Sequence, residues 1–228
     1  NPEPPKIDAG ANGGKYIYVS CDVTGQQSVN DMVDTVVSEF GTIDVLVNNA
    51  GINIPRLLVD PAGVQELSEQ IWDKVMNVNV KGLFFCSQAA ARVMVKNGSG
   101  VIINMSSECG LEGSEGQSVY AASKAAVNGL TRSWAKELGK HHVRVVGVAP
   151  GILEATGLRT QSYEEALSYT RGITVEQLRA GYSKTSTTPL GRSGKLSEVA
   201  NTVAFLSSEK AGYIHGTTIN VAGGKTRG

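Results

Sequence analysis

The chain is 228 residues long and carries 21 basic and 21 acidic side chains, a formal net charge of zero. That length makes one domain with a full core, and that balance excludes a general nucleic-acid or polyanion binder. Glycine is abundant at 27 residues and charged residues are scarce at 18%, as expected of an α/β chain with close backbone packing and much buried surface.

Residues 1–14 are rich in Pro and Gly without periodicity, so a loop or tail is expected there. Residues 15–23, KYIYVSCDV, are β-branched and aromatic and predict a strand. Val29, Met32, Val33, Val36, Val37 and Phe40 recur at helical spacing and are followed by Gly41, which predicts an amphipathic helix. A short strand is expected at 43–47, running into Asn48-Asn49-Ala50-Gly51. A helix follows over about 68–95, then a strand at 101–105, a helix over about 117–138, and a strand at 143–149 closed by Pro150-Gly151. A helix at about 196–207 and a strand at 217–221 complete the series. Apolar strands alternating with helices predict a parallel sheet covered on both faces.

Residues 152–195 break the alternation. They show two weak helical patterns, at 162–169 and 174–183, and six basic residues against four acidic. An insertion after a strand end lies where open α/β sheets take ligands. It is therefore read as a substrate-covering lobe within a single domain, 1–228. His141 and His142 fall between a helix and a strand and read as helix C-capping residues. Cys21, Cys86 and Cys109 are odd in number and lack metal-ligand spacing. They read as reduced thiols of a cytoplasmic protein. No basic-then-apolar leader opens the chain, and no apolar run approaches the length of a membrane span. No cluster of His, Asp and Glu suggests a catalytic metal.

Tyr120 and Lys124 are four residues apart on one helix face. A free phenol, with pKa near 10, is a poor base at neutral pH, and an ammonium one turn away favours the phenolate. Lys124 is therefore expected to lower the Tyr120 pKa and make it a general acid/base. Ser106-Ser107 end one strand, Asn48-Asn49-Ala50-Gly51 the strand before it, and Pro150-Gly151 the strand after it. All would meet at the carboxyl edge of the sheet.

These residues resemble the short-chain dehydrogenase/reductase family. The family pattern is NNAG after the fourth strand, an Asn within a helix, a Ser thirteen residues before the Tyr, Tyr-x-x-x-Lys, and Pro-Gly after the sixth strand. This chain has residues 48–51, Asn79 in VNVKG, Ser107, Tyr120 with Lys124, and Pro150-Gly151. Asp22-Val23 matches the family's Asp-Val after its third strand. The resemblance covers about residues 15–224 and implies a Rossmann-like doubly wound fold, an NAD(P)-dependent oxidoreductase and a homotetramer. It implies that Tyr120 exchanges the proton with the substrate hydroxyl. Ser107 holds the substrate oxygen, Lys124 lowers the phenol pKa and binds the nicotinamide ribose, and Asn79 holds a relay water. Asn77 is read as structural. Cofactor contacts are implied for Asp22, Val23, Asn49, Ala50, Gly51, Tyr120, Lys124, Pro150 and Gly151. Ala121, Ala122, Ala125, Ala126 and Gly129 give the same helix a small-residue face, suited to close packing within the core or between subunits.

The family begins with a strand, a TGxxxGIG turn, a helix and a second strand. The first strand here corresponds to the family's third, and fourteen residues cannot supply a βαβ unit. The chain is read as lacking that N-terminal unit. The other reading is a non-catalytic binding or scaffold homologue that has lost the cofactor turn. Within the family the resemblance is sharpest to the bacterial sorbitol-6-phosphate 2-dehydrogenases, across 48–61, 106–127, 132–160 and 187–200. It implies a sugar-alcohol phosphate as substrate and NAD as cofactor, with NADP not excluded. Another polyol or carbonyl substrate remains the alternative. A polyhydroxylated dianion needs cations for its phosphate and carboxylates or amides for its hydroxyls. Arg56 and Arg159 are the expected phosphate contacts, and Glu112 an expected hydroxyl contact. No membrane or nucleic-acid partner is expected.

Overall fold

The computed structural model describes residues 13–225. Most of the expected tail at 1–14 lies outside the described residues. Four strands form one wholly parallel sheet in the order β1-β2-β3-β4: Val45–Asn48, Gly100–Met105, Val143–Pro150 and Thr218–Val221. The register pairs Val45 with Val101, Gly100 with Val143, and Gly147 with Thr218. The 101–105 and 143–148 segments are neighbours, which brings their carboxyl ends together.

Alternation along each strand sends side chains to opposite faces. Val101, Ile103, Met105, Val146 and Val148 pack on Val199 and Leu206 of α8 (Leu196–Ser207). Ile102, Val143 and Val145 pack on the other face. There they meet Ala90 and Met94 of α3 (Leu83–Asn97) and Ala135 of α5 (Ser118–Leu138). Val29 and Val33 of α1 (Gln26–Phe40) pack against Cys86 and Ala89 of α3. β2 and β3 are covered on both faces, which is why they are mostly apolar, Asn104 and Arg144 excepted.

A buried polar chain crosses this core. Asn48 Nδ2 donates to Ser87 Oγ and to Asn104 Oδ1, both at 2.8 Å, and Asn104 Nδ2 donates to Thr131 Oγ1 at 3.0 Å. The first Asn of the NNAG motif thus ties β1 to β2 and, through Asn104, to α5. His215 does similar work lower down. Its Nδ1 accepts the Val145 N–H at 3.0 Å, so its Nε2 carries the proton and donates to Ala135 O at 2.8 Å. His142 takes the left-handed capping position (φ 58°) after the short turn Gly139–His141, as expected of this pair.

Two expectations change. Residues 14–22 belong to no strand. Strand structure is a property of a pair, and no other segment pairs with this one among the described residues. Tyr16 and Tyr18 are half exposed, and the segment is held to the body by Cys21 and Val23 in the α1–α3 cluster and by Lys15, which pairs with Glu39 of α1. The helix expected over 68–95 begins as predicted, with Ser68 capping α2 (Glu69–Met76). It then widens into a π-helical stretch, Asn77–Gly82, before α3. Gly82 explains part of this. A Cβ there would lie 2.8 Å from Val23 Cγ2 and 3.1 Å from Val23 O, so the helix presses bare backbone against the 14–25 segment.

The lobe is helical, as expected. It contains α6 (Gln161–Thr170) and α7 (Val175–Gly181), each capped by a Thr side chain, Thr160 and Thr174. No helix among the described residues is long and apolar enough to cross a membrane.

Candidate active site

The carboxyl ends of β2 and β3 hold the start of the site in place. Ser106 N–H donates to Val148 O at 2.7 Å, and Glu108 N–H to Pro150 O at 3.0 Å. The chain then turns through α4 (Cys109–Glu112), which lies flat on α5. Ser107 Oγ accepts the Cys109 N–H at 3.2 Å and lies near enough to the Tyr120 phenol to favour its ionised form. Tyr120 is 8% exposed and Lys124 5%. Lys124 Nζ donates to Met105 O at 2.7 Å and lies 5.7 Å from the centre of the Tyr120 ring.

The electrostatics differ from the sequence expectation. Burial pushes the Tyr120 phenol up to about 12, and the nearby Cys109 and Glu108 reinforce the shift, while the Ser107 hydroxyl opposes it. Burial also takes Lys124 down to about 8. Taking both groups out of water disfavours both charges. In the protein alone Tyr120 is therefore a protonated phenol, poised to give a proton.

Asn79 is 1% exposed in the π-helical stretch. Its Oδ1 accepts the Ile52 N–H at 2.8 Å, and its Nδ2 donates to Ile52 O at 2.9 Å and Ser123 Oγ at 3.0 Å. Both amide protons are engaged, so a water could bind this side chain only on the remaining lone pair of Oδ1. The side chain clamps the segment after NNAG onto the catalytic helix. Gly51 permits this. A Cβ there would stand 3.3 Å from Asn79 Oδ1 and 3.6 Å from Lys124 Nζ. Asn49 and Ala50 are exposed at the end of β1. Gly151 backs onto Ala222 and Glu108, with room for no side chain (2.7 Å to Ala222 Cβ). Asp22 is exposed, its Oδ1 accepting from the N–H and Oγ1 of Thr24, which hold its carboxyl below the usual range.

Gly110 sets the depth of α4. A Cβ there would lie 2.6 Å from the Lys124 carbonyl carbon and 2.9 Å from Ala125 N. Neither is a flexible side-chain end, so Gly110→Ala must push α4 off α5 or shift the Lys124 turn. The expected result is a loss of about 1–3 kcal/mol in stability and reduced activity. A thermal melt checks the first, and an unchanged melting temperature would contradict the packing.

The expected substrate contacts do not gather around Tyr120. The Arg56 backbone pairs with Gly116, and its Nη1 folds onto Pro55 O. Glu112 accepts from Lys225 Nζ at 3.0 Å, and the same ammonium meets the buried Glu108 at 2.6 Å. Arg159 stacks 4.6 Å from the centre of Tyr182 and donates to Leu153 O. With Gln161, Glu164, Arg179 and Tyr182 it lines a cavity inside the lobe. Arg179 and Arg192 are paired with Glu164 and Glu198. Three polar residues near the site were not singled out in the sequence for this role: Asn53, Tyr163 and Lys225. Tyr163 had a visible signal, because Tyr163, Ala166, Leu167 and Thr170 recur at helical spacing. Asn53 and Lys225 lie in loops without periodicity.

The chain is similar to known proteins along most of its length. A family profile described as enoyl-(acyl carrier protein) reductase matches residues 6–226. A sorbitol-6-phosphate 2-dehydrogenase from Klebsiella pneumoniae is 61% identical over 220 residues, which is 95% of this chain and 82% of that enzyme. A 3-oxoacyl-[acyl-carrier-protein] reductase from Thermotoga maritima is 41% identical over 92% of this chain and 77% of its own. One from Staphylococcus aureus is 41% identical over 94% of this chain and 78% of its own.

Proposed function

This chain belongs to the short-chain dehydrogenase/reductase family, and from that premise we propose that it interconverts D-sorbitol 6-phosphate and fructose 6-phosphate with NAD. Members of the family work with a nicotinamide cofactor, NAD or NADP. The observation that carries the reaction type is the Tyr120 phenol buried against Ser107, with the Lys124 ammonium beneath it. The substrate is supported by the 61% identity to an enzyme named for it.

The residues present fit a nicotinamide nucleotide. Lys124 makes one hydrogen bond among the described residues, to Met105 O, although it carries three N–H donors. The remaining donors suit ribose hydroxyls. Thr188 Oγ1 is buried without a partner among the described residues, in the cleft that Ile152 and Val221 also line, next to the Pro150-Gly151 strand end. It suits a carboxamide. Asn49, Ala50 and Gly51 offer small side chains and backbone at the end of β1. The cofactor, when bound, supplies the hydride donor or acceptor. In the reducing direction Tyr120 gives its proton to the carbonyl oxygen while Ser107 Oγ–H holds that oxygen and stabilises its developing charge. In the oxidising direction Tyr120 must first lose its proton, and Ser107 orients the alcohol.

The outer edge of β1 supports the further unit read from the sequence. β1 has no ladder partner on that side among the described residues, and its Val45 and Val47 side chains, on the same face as Val101 and Ile103, are 39% and 40% exposed. An open apolar edge is uncommon in a finished sheet. A parallel strand with a glycine-rich turn would cover it and cradle the pyrophosphate at a helix N-terminus. Arg159 and the lobe cavity are the proposed seat of the phosphate, with Arg56 second. A homotetramer in the cytoplasm is the proposed assembly and setting, supported by the exposed Ala122 and Ala125 on α5.

The test is steady-state reduction by the full-length protein of fructose 6-phosphate, free fructose and a 3-oxoacyl thioester. The expected kcat/KM for the sugar phosphate exceeds the other two by about a hundredfold or more, as when a built polar site rejects an analogue lacking its partner groups. Preference for the thioester would overturn the substrate.

A further inference from the structure

Three side chains outside the catalytic set form a directed hydrogen-bond chain beside Tyr120. Asn53 Nδ2 donates to Gln117 Oε1 at 3.0 Å, and Gln117 Nε2 donates to the Tyr163 hydroxyl oxygen at 3.3 Å. Cys109 Sγ approaches the same Gln117 Oε1 at 3.7 Å, which marks that oxygen as the accepting end of the amide. Gln117 is 4% exposed and stands at the N-cap of α5, three residues before Tyr120. Asn53 lies two residues beyond Gly51. Tyr163 comes from the first turn of α6 in the lobe. The wall is therefore assembled from three distant stretches of chain, next to the reacting group.

The direction of the chain leaves an acceptor at one end and a donor at the other. Asn53 uses an amide proton on Gln117, and its Oδ1 is buried with no donor among the described residues. Buried carbonyl oxygens without a partner are uncommon in folded proteins and call for a reason. Tyr163 accepts from Gln117, so its own proton points elsewhere. Burial holds that phenol above its ordinary range, so the proton stays on.

We infer that Asn53, Gln117 and Tyr163 form the hydroxyl-reading wall of the substrate site, in which Asn53 Oδ1 accepts from one hydroxyl of the substrate chain and Tyr163 O–H donates to another. This rests on the polyol-phosphate reading above and says how the site tells a hydroxylated chain from an acyl chain. An acyl chain brings no hydroxyl, so it would leave Asn53 Oδ1 buried and unpaired, and the site would reject it.

The experiment compares sorbitol 6-phosphate with its 3-, 4- and 5-deoxy analogues in wild type, Asn53→Leu and Tyr163→Phe, with thermal melts to confirm folding. Wild type should lose about ten- to hundredfold in kcat/KM on at least one analogue, the range set by an unsatisfied buried polar group. Asn53→Leu should lose a similar factor on the parent sugar, mainly through KM, and become indifferent to the deoxy position that wild type reads. Tyr163→Phe should become indifferent to a different position. Variants that turn over the parent sugar with wild-type constants, or whose losses simply multiply with every deoxy loss, would overturn the wall while leaving the polyol-phosphate function standing. A wild type that prefers a 3-oxoacyl thioester would overturn both.

Discussion

Tyr120→Phe is expected to keep the fold and to lower turnover by at least about 10²-fold, the lower range for a positioned general acid or base. The substitution removes one oxygen from a side chain that is already 8% exposed and packed under α4. The Ser107 hydroxyl loses a polar neighbour but keeps the Cys109 N–H, so the stability change stays near that of one hydrogen bond, about 1 kcal/mol. The pH dependence is the sharper readout. The phenol is held up at about 12 by burial, so it is protonated through the neutral range. Reduction then begins from the correct form, whereas oxidation needs the phenolate and speeds up as pH rises. The Phe variant should lose this pH dependence along with the rate. A variant that turns over near the wild-type rate, or keeps the wild-type pH profile, would remove Tyr120 from the chemistry.

Lys124→Met should separate stability from activity. Lys124 falls from 10.5 to about 8 in the folded protein because it is buried away from water. Below pH 8 the amine is charged in both folded and unfolded chains, so the folded state carries the whole desolvation penalty. At roughly 1.4 kcal/mol per pKa unit that is about 3 kcal/mol. Between pH 8 and 10.5 the unfolded chain binds more protons, and stability rises with pH across that window. Methionine has a similar length and no charge. It removes the penalty and leaves Met105 O without its donor, which returns about 1 kcal/mol. The net gain of about 2 kcal/mol should raise the melting temperature by about 4–8 °C at neutral pH. Activity should fall by at least about 10²-fold, because the proposed acid/base loses its cationic neighbour. A lower melting temperature, or an undiminished rise of stability between pH 8 and 10.5, would contradict the burial of this charge.

What could be read from the sequence was what depends on nearby residues. The last helix, Leu196–Ser207, starts and stops where its periodicity does. The catalytic helix begins one residue after its expected start and ends at Leu138. Ser107, Tyr120 and Lys124 were legible because the motif fixes their spacing and the strand–turn–helix sequence fixes their edge. What was not legible depends on distant partners. Residues 15–23 have strand composition, yet a strand needs a neighbour to bond. The π-helical widening at Asn77–Gly82 accompanies the Gly82 backbone lying against Val23, a contact no local pattern announces. Asn79 sits in the recognised motif, but its engagement by Ile52 and Ser123 is a matter of where the 51–54 loop folds back. The arginines show the same limit. Composition made the lobe basic, but Glu164 and Glu198 claim Arg179 and Arg192, and only coordinates reveal which cations are already paired.

In the proposed reaction the full-length protein moves hydride between C2 of a hexitol phosphate and a nicotinamide ring, with Tyr120 handling the proton. The most direct measurement uses sorbitol 6-phosphate carrying deuterium at C2, with the label followed by mass spectrometry. All of the deuterium is expected in the reduced cofactor and none in water. Fructose 6-phosphate is expected in equal amount, and Tyr120→Phe should show a trace rate with the same label fate. Deuterium released to solvent, or reduction of the cofactor without formation of the ketose phosphate, would contradict the proposed reaction.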